Sequence, residues 1–128
     1  MSNREAASPQ PGSQTSAREG ASRVLQGTLD LMVLQTLDTL GALHGYAIAA
    51  RLEQVSNGAL QLNMGTLYPA LMRLEQRRLV TGSWGVTDTN RKARFYKLTP
   101  AGRRELGKEK DAWNRMAGIM HALLHSEG

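Results

Sequence analysis

Residues 65–77 include a set of non-core residues whose spacing would place them on one face of a helix. Leu67, Leu71 and Leu74 mark the opposite, core side of that helix. The outward face would carry Gly65, Pro69, Met72, Arg73 and Gln76, flanked by Thr66, Tyr68 and Arg77. Arg and Gln can form paired hydrogen bonds with base edges, Met and Pro can contact thymine methyl groups, and hydroxyl groups can reach phosphates. These residue types suit recognition of DNA, although any solvated helix face carries Arg and Gln as well.

Positive charge gathers a second time near residues 90–94. Arg91, Lys92 and Arg94 lie here beside Asn90, and Asp88 is the only acid in the vicinity. Such a cluster can meet phosphates or enter the minor groove of DNA. Charged residues on an exposed hairpin also discourage pairing between strand edges, so this cluster has a structural alternative.

Residues arranged for catalysis are not visible in the sequence. The chain of 128 residues has no cysteine, which excludes disulfides, thiolate metal ligands and cysteine nucleophiles. There is no Ser-His-Asp arrangement, glycine-rich phosphate loop or nucleophile elbow. His121 and His125 have metal-ligand spacing, but no Cys or close carboxylate pair completes a site, and histidines also suit a helix C-terminus. We predict a protein that is not an enzyme and has no metal or other cofactor.

Three short helices are predicted ahead of residue 79. The first runs from a cap at Thr28 to Leu40, and the second from Tyr46 to Val55 with Ile48, Leu52 and Val55 on one face. The third follows residues 59–62 and ends near Arg78. Pro69 cannot donate a hydrogen bond, so this helix either begins near Thr66 or has a loosened first turn around Gly65.

A hairpin and a long helix are predicted to follow. Leu79–Trp84 and Ala93–Leu98 have the composition of two paired strands, and Thr99 with Pro100 is a strong helix start. The last helix would reach Leu124. This order predicts a mainly α fold with a small β-hairpin, a winged helix-turn-helix in which the third helix enters the major groove and the hairpin touches the backbone.

An apolar stripe on the last helix is predicted to lie outside the domain's own core. It consists of Leu106, Trp113, Met116, Ala117, Met120 and Leu124. We expect the stripe to pair with a second subunit, because a symmetric dimer places two recognition helices one DNA turn apart. The large, adaptable side chains of Trp113, Met116 and Met120 could instead line a ligand cavity.

The composition is that of one small basic domain. The formal net charge is +5 and the hydrophobic content is 41%, enough for a single core with an attraction to polyanions. No apolar run resembles a signal peptide or membrane span, so we expect a cytoplasmic protein without a membrane partner. Three parts are predicted: a disordered tail at 1–22, a winged helix-turn-helix at 23–99 and a C-terminal dimerisation helix at 100–128.

The stretch from Gln26 to Arg103 closely resembles the PadR family of bacterial transcriptional regulators. The matching segments are His44 to Tyr46 (HGY), Met64 to Leu71 (MGTLYPAL) with Leu74 and Glu75, and Tyr96 to Arg103 (YKLTPAGR). Together these segments stand in the family's order and form a highly specific combination. One departure is Arg78, which stands where the family usually has Gly at the end of the recognition helix, a residue that adopts the left-handed conformation at low cost.

The resemblance implies a homodimer held by its C-terminal helix, a palindromic operator and, usually, repression that a small molecule relieves. The short C-terminal helix is similar to that of the smaller PadR subfamily, whose dimers can hold aromatic drugs near a tryptophan, and Trp113 is the matching residue. The main alternative is a winged-helix protein-interaction module that does not bind specific DNA. A second alternative is a basic protein that binds nucleic acid through charge alone.

Overall fold

The computed structural model describes residues 27–126, so the tail predicted at 1–22 lies outside the described residues. Helix α1 covers 27–40, which means that Thr28 lies inside the helix and does not cap it. The elements that follow are β1 (Leu43–His44), α2 (Gly45–Val55), α3 (Met64–Gln76), β2 (Val80–Val86), β3 (Lys92–Leu98) and α4 (Pro100–Leu124). In the range 27–126, none of the helices combines the length and apolar character that a bilayer span requires. The predicted winged-helix architecture with a long last helix is confirmed.

The core is built almost entirely from aliphatic side chains of the helices. Leu67, Leu71 and Leu74 of α3 are fully buried, as their spacing predicts. They pack with Leu34 of α1 and Ile48 of α2, among others. Val55 shares a helix face with Ile48 and Leu52 but is 63% exposed, because α2 ends there and its last turn extends past the core.

The sheet has three antiparallel strands in the order β1-β3-β2, one more than the predicted hairpin. In the additional strand, Leu43 pairs with Tyr96 and His44 with Phe95. The His44 side chain also accepts a hydrogen bond from the Ala47 amide (3.4 Å) and so caps α2. Its ring meets Phe95 edge to face, with 5.2 Å between the ring centroids. One side chain therefore joins the start of α2 to the middle of the wing, the hairpin of β2 and β3 at residues 80–98.

Both ends of α3 are fixed by local hydrogen bonds. Asn63 caps its start by accepting from the Thr66 amide (2.9 Å), so the helix begins at Met64 and continues through Pro69. At its end, the Leu79 amide donates to the Leu74 carbonyl and the Arg78 amide to the Glu75 carbonyl, both at 2.9 Å. This pair of bonds is a Schellman motif, in which the residue after the cap is left-handed. Arg78 occupies that position with φ +61°, although it is not glycine.

The start of α4 is locked against the junction between α3 and β2. The Thr99 hydroxyl accepts from the Gly102 amide (2.9 Å) and donates to the Arg78 carbonyl (2.8 Å). Gly102 approaches so closely that a Cβ there would lie 2.0 Å from the Leu79 carbonyl oxygen. Helix α4 therefore leaves the domain in a direction set by the same turn that ends α3.

Candidate nucleic-acid interface

The outward face of α3 is exposed along most of its length. Gly65, Thr66, Tyr68, Pro69, Met72, Gln76 and Arg77 are all exposed, and Arg73 is half-buried. Met72 and Tyr68 present large apolar surface to solvent at 57% and 39% exposure. The helix thus offers a continuous row of side chains that differ in hydrogen-bonding capacity, which is what direct readout of bases requires.

Two arginines of this face have intramolecular partners. The Arg73 guanidinium lies 3.0 Å from a carboxylate oxygen of Asp30 on α1, and the Arg77 guanidinium lies 3.5 Å from Glu105 on α4. Asp30 is 43 positions from Arg73 along the chain, so helical spacing within α3 could not reveal the contact. These pairs fix the second half of α3 to the two helices beside it.

A third acid, Glu109, belongs to the same cluster. Burial raises the pKa of the Glu109 carboxyl, and the neighbouring Glu105 raises this pKa further through a hydrogen bond and charge repulsion, while Arg77 lowers it. Two carboxylates thus approach one another next to the end of α3. Arg77 is the cation that limits their repulsion.

The turn of the wing directs its basic residues outward. The Thr87 amide donates to the Arg91 carbonyl (2.8 Å), and the Asn90 amide donates to the Thr87 carbonyl (2.9 Å). The Thr87 hydroxyl also accepts from the Arg91 amide (3.1 Å). Asn90 is left-handed, with φ +64°, a conformation that Asn tolerates better than most residues. Arg91 and Lys92 are exposed at this turn, and among residues 27–126 neither has an ion-pair partner.

Arg94 differs from the other wing cations because it joins the wing to α3. Its guanidinium forms an ion pair with Glu75 and is only 32% exposed. It lies across Gly82, where a Cβ would be 2.6 Å from its Nε. Its Cζ is 6.0 Å from the centroid of the Trp84 ring and 5.9 Å from that of Tyr96. Burial raises the pKa of the Tyr96 hydroxyl, and the positive charge of Arg94 opposes that rise.

A groove of about 1010 Å³ separates the wing from the helices, and sequence reasoning missed two aromatic residues that line it. Tyr46, from the start of α2, is 68% exposed, and Trp84, from β2, is 64% exposed. Lys92 lies with its Nζ 5.1 Å from the Trp84 ring centroid. Strand alternation places Trp84 on the same face of β2 as Val80 and Gly82, but no sequence signal shows that the core ends before Trp84 on that face.

The distal part of α4 leaves the domain, and every residue from 110 to 126 is exposed. Trp113, Met116, Ala117, Met120 and Leu124 belong to this part, together with Ile119 and Leu123, which the predicted stripe omitted. The structure corrects the role of Leu106, which is 3% exposed and packs in its own domain's core because the first turns of α4 still contact that core. A cleft of about 530 Å³ lies under Trp113 and is lined by residues of α1 and α2.

His121 and His125 contact each other at the end of α4. Their ring centroids are 4.1 Å apart, and His125 Nδ1 lies 2.9 Å from the His121 carbonyl oxygen. In the described range 27–126, no group of three or more His, Cys, Asp or Glu side chains is placed to hold a metal ion.

Comparison with known proteins shows that this chain is similar to transcriptional regulators. The family model of the PadR-like transcriptional regulators matches residues 33–108. The chain is 37% identical over 77 residues to the transcriptional regulator Rv3488 of Mycobacterium tuberculosis, covering 59% of this chain and 71% of that protein. It is 44% identical over 78 residues to a 37.1 kDa protein in transposon TN4556 of Streptomyces fradiae, covering 61% of this chain but only 21% of that longer protein. A PadR family transcriptional regulator from Eggerthella lenta superposes with a TM-score of 0.66 at 26% identity, covering 89% of this chain and 99% of the other.

Proposed function

Because this chain belongs to the PadR-like family of transcriptional regulators, we propose that it binds a palindromic operator in double-stranded DNA as a homodimer and represses transcription there. Family membership makes it a transcriptional regulator and not an enzyme, as the sequence predicts. It would act in the cytoplasm, where the operator is accessible.

The observation that carries this proposal is the combination of an exposed α3 face with an unpaired basic turn beside it. Base reading is assigned to the exposed residues Thr66, Tyr68, Met72 and Gln76, while Gly65 and Pro69 allow close approach of the helix backbone. Backbone contact is assigned to Asn90, Arg91 and Lys92, and within residues 27–126 the charges of Arg91 and Lys92 have no carboxylate partner.

Three arginines of the proposed interface also form ion pairs within the protein: Arg73, Arg77 and Arg94. Each holds a carboxylate in the free protein, so each contacts DNA only by sharing or exchanging that partner. Exposed ion pairs contribute little to stability, so a phosphate can compete with Glu105 for Arg77. Arg73 is the least available of the three, because Asp30 is itself mostly buried, with 17% of its side chain exposed.

The dimer is proposed to form through the distal part of α4. Six large apolar side chains there are about half or more exposed, namely Trp113, Met116, Ile119, Met120, Leu123 and Leu124. A contiguous apolar surface of this kind on a small domain is typical of an interface. The cleft under Trp113 continues this surface onto α1 and α2, so a partner helix could bury both together.

Response to a small aromatic effector is a further part of the proposal. It rests on the resemblance to the smaller PadR subfamily and on the cleft under Trp113, which combines apolar side chains such as Leu31 and Met32 with polar ones such as Gln35. A compound that occupies the cleft would change Trp113 emission and release the operator. A compound that releases the operator without any change at Trp113 would contradict this location.

The proposal is tested by selecting bound duplexes from a random DNA pool in moderate salt while light scattering measures the mass of the free protein. We expect a palindromic motif and a dimer. Gln76→Ala should change the enriched bases, whereas Arg73→Ala should lower stability and leave the motif largely intact, since Arg73 is held by Asp30.

The alternatives predict other results of the same selection. A folded protein that enriches no sequence but binds every duplex, with affinity falling steeply as salt rises, would be a charge-driven binder. A folded protein that binds no duplex at all would be a protein-interaction module. Either result would overturn the proposed operator binding.

A further inference from the structure

Trp84 is a large aromatic residue in the middle of a strand, yet most of its side chain is in solvent. It shares a face of β2 with Val80, and Val80 is 2% exposed in the core. Trp84 therefore faces the same side of the sheet as the core, but it lies beyond the point where the core ends. Its ring consequently lines the groove between the wing and the helices, which Tyr68 of α3 also lines.

The indole is held at a fixed position relative to α3. Arg94 is its direct partner in the strand register, and the Arg94 guanidinium forms an ion pair with Glu75 of α3. Gly82 leaves room for this guanidinium, because any Cβ there would collide with it. Trp84 thus lies beside Arg94, and the ion pair of Arg94 with Glu75 fixes the distance between the wing and α3.

Cations outnumber acids in the groove around the ring, where Asp88 is the one lining carboxylate among the described residues. The Lys92 ammonium lies 5.1 Å from the ring centroid, and Arg91 is exposed at the adjacent turn. A phosphodiester that bonds to Lys92 would bring its deoxyribose against the exposed indole. The indole N–H is a donor without acceptor capacity, which matches the acceptor oxygens of a phosphate.

The simpler explanation for a tryptophan at position 84 is that it packs within the hairpin and stabilises it. Cross-strand pairs with aromatic residues do stabilise sheets, by roughly 0.2–1 kcal/mol. That stabilisation depends on burial, however, and the residue remains 64% exposed. Stability of the hairpin therefore does not account for the large apolar surface directed into a basic groove.

We propose that Trp84 is part of the DNA interface and that it packs against the sugar-phosphate backbone of one strand lying between the wing and α3. This inference rests on the proposed DNA-binding function and adds a contact to it. The contact is independent of base sequence, since the deoxyribose and phosphate are the same at every nucleotide.

Tryptophan emission gives a direct test, because the sequence contains only Trp84 and Trp113. A mixed-sequence duplex carrying a fluorescent label is titrated with the wild type and with Trp84→Phe, and label anisotropy reports binding independently. At equal saturation, we expect DNA to change the emission of the wild type more than that of the variant, which retains Trp113 alone. Equal changes in the two proteins would overturn the inference.

Affinity and its salt dependence give a second test. Trp84→Ala should weaken binding of all duplexes about tenfold through loss of a hydrogen bond to a charged group. It should leave the slope of affinity against salt unchanged, because no charge is removed. Lys92→Ala should instead reduce that slope by about 1.8 for the proposed dimer, because two phosphate contacts of about 0.9 each are lost. Ser83→Ala is the matched control, since Ser83 is exposed on the opposite face of the same strand.

The outcomes separate this inference from the function on which it rests. Unchanged affinity in Trp84→Ala, with DNA still bound by the wild type, would remove Trp84 from the interface and leave the DNA-binding function intact. Failure of the wild type to bind any duplex would overturn both.

Discussion

At the scale of single residues, Arg78 carries a backbone conformation that suits glycine better. It is left-handed with φ +61°, and within residues 27–126 its side chain forms no ion pair that would compensate. The left-handed region costs a non-glycine residue about 1–2 kcal/mol. The Schellman bonds around Arg78 involve only backbone atoms, so a glycine would keep them.

Arg78→Gly should therefore raise the free energy of unfolding by about 1 kcal/mol, after allowance for the greater freedom of glycine in the unfolded chain. Urea denaturation measures the change. The control is Arg104→Gly, also an Arg to Gly change but in the regular part of α4, which should lower the same quantity by about 1 kcal/mol. Loss of stability in both variants would show that Arg78 is not strained.

The residues of the α3 face follow from helical periodicity, but their partners do not. A helical wheel of α3 identifies Arg73 as facing outward, because a wheel uses only the positions of residues within one helix. The contact with Asp30 arises from the packing of α1 beside α3, and no local pattern encodes that packing. Trp84 was missed for a related reason, since its exposure depends on where the core ends and not on its own strand.

At the scale of elements, two glycines of α4 differ in the space that surrounds them. A Cβ at Gly102 would lie 2.0 Å from the Leu79 carbonyl oxygen, whereas a Cβ at Gly107 would meet nothing within 4 Å. Gly102 thus permits the close contact between α4 and the turn after α3, while Gly107 only weakens an exposed helix.

We expect Gly102→Ala to lower the free energy of unfolding by about 2–3 kcal/mol, because α4 must move away from the turn. Gly107→Ala should raise it by about 1 kcal/mol through helix propensity. Thermal or urea unfolding of the two variants makes this comparison. Equal effects of the two substitutions would contradict the close packing at Gly102.

Elements with local signals could be predicted closely, and elements made by tertiary contacts could not. Thr99 and Pro100 define the start of α4 through a cap and a preset φ, and the helix begins there as predicted. Strand β1 has only two residues and exists because Leu43 and His44 lie along β3. Such a short strand has no alternation of its own to detect.

At the scale of the whole molecule, the exposed part of α4 is the surface through which the proposed dimer would form. Periodicity predicted an apolar stripe, but it could not show that Leu106 belongs to the domain core, because the same spacing continues across the boundary. The exposed members begin at Trp113, and Met120 lies near their centre with 49% exposure. A charge at Met120 would be buried without a partner in any dimer formed through this stripe.

Met120→Glu should convert the dimer to a folded monomer and weaken operator binding at least about tenfold, since the two half-sites would no longer be bound together. Light scattering gives the mass, circular dichroism the helix content, and anisotropy the affinity. Asn114→Glu introduces the same charge outside the stripe and should leave the dimer intact. A dimeric Met120→Glu protein would place the interface elsewhere.

The exposed stripe of α4 also bears on how cellular abundance controls the regulator. If the regulator binds its operator as a dimer and most of it is monomeric, the dimer concentration rises with the square of the total protein concentration. Halving the amount of protein then reduces the concentration of the DNA-binding dimer about fourfold. A gene under such control would switch over a narrow range of regulator copies per cell. The sharpness of that threshold would then be set by side chains far from the DNA.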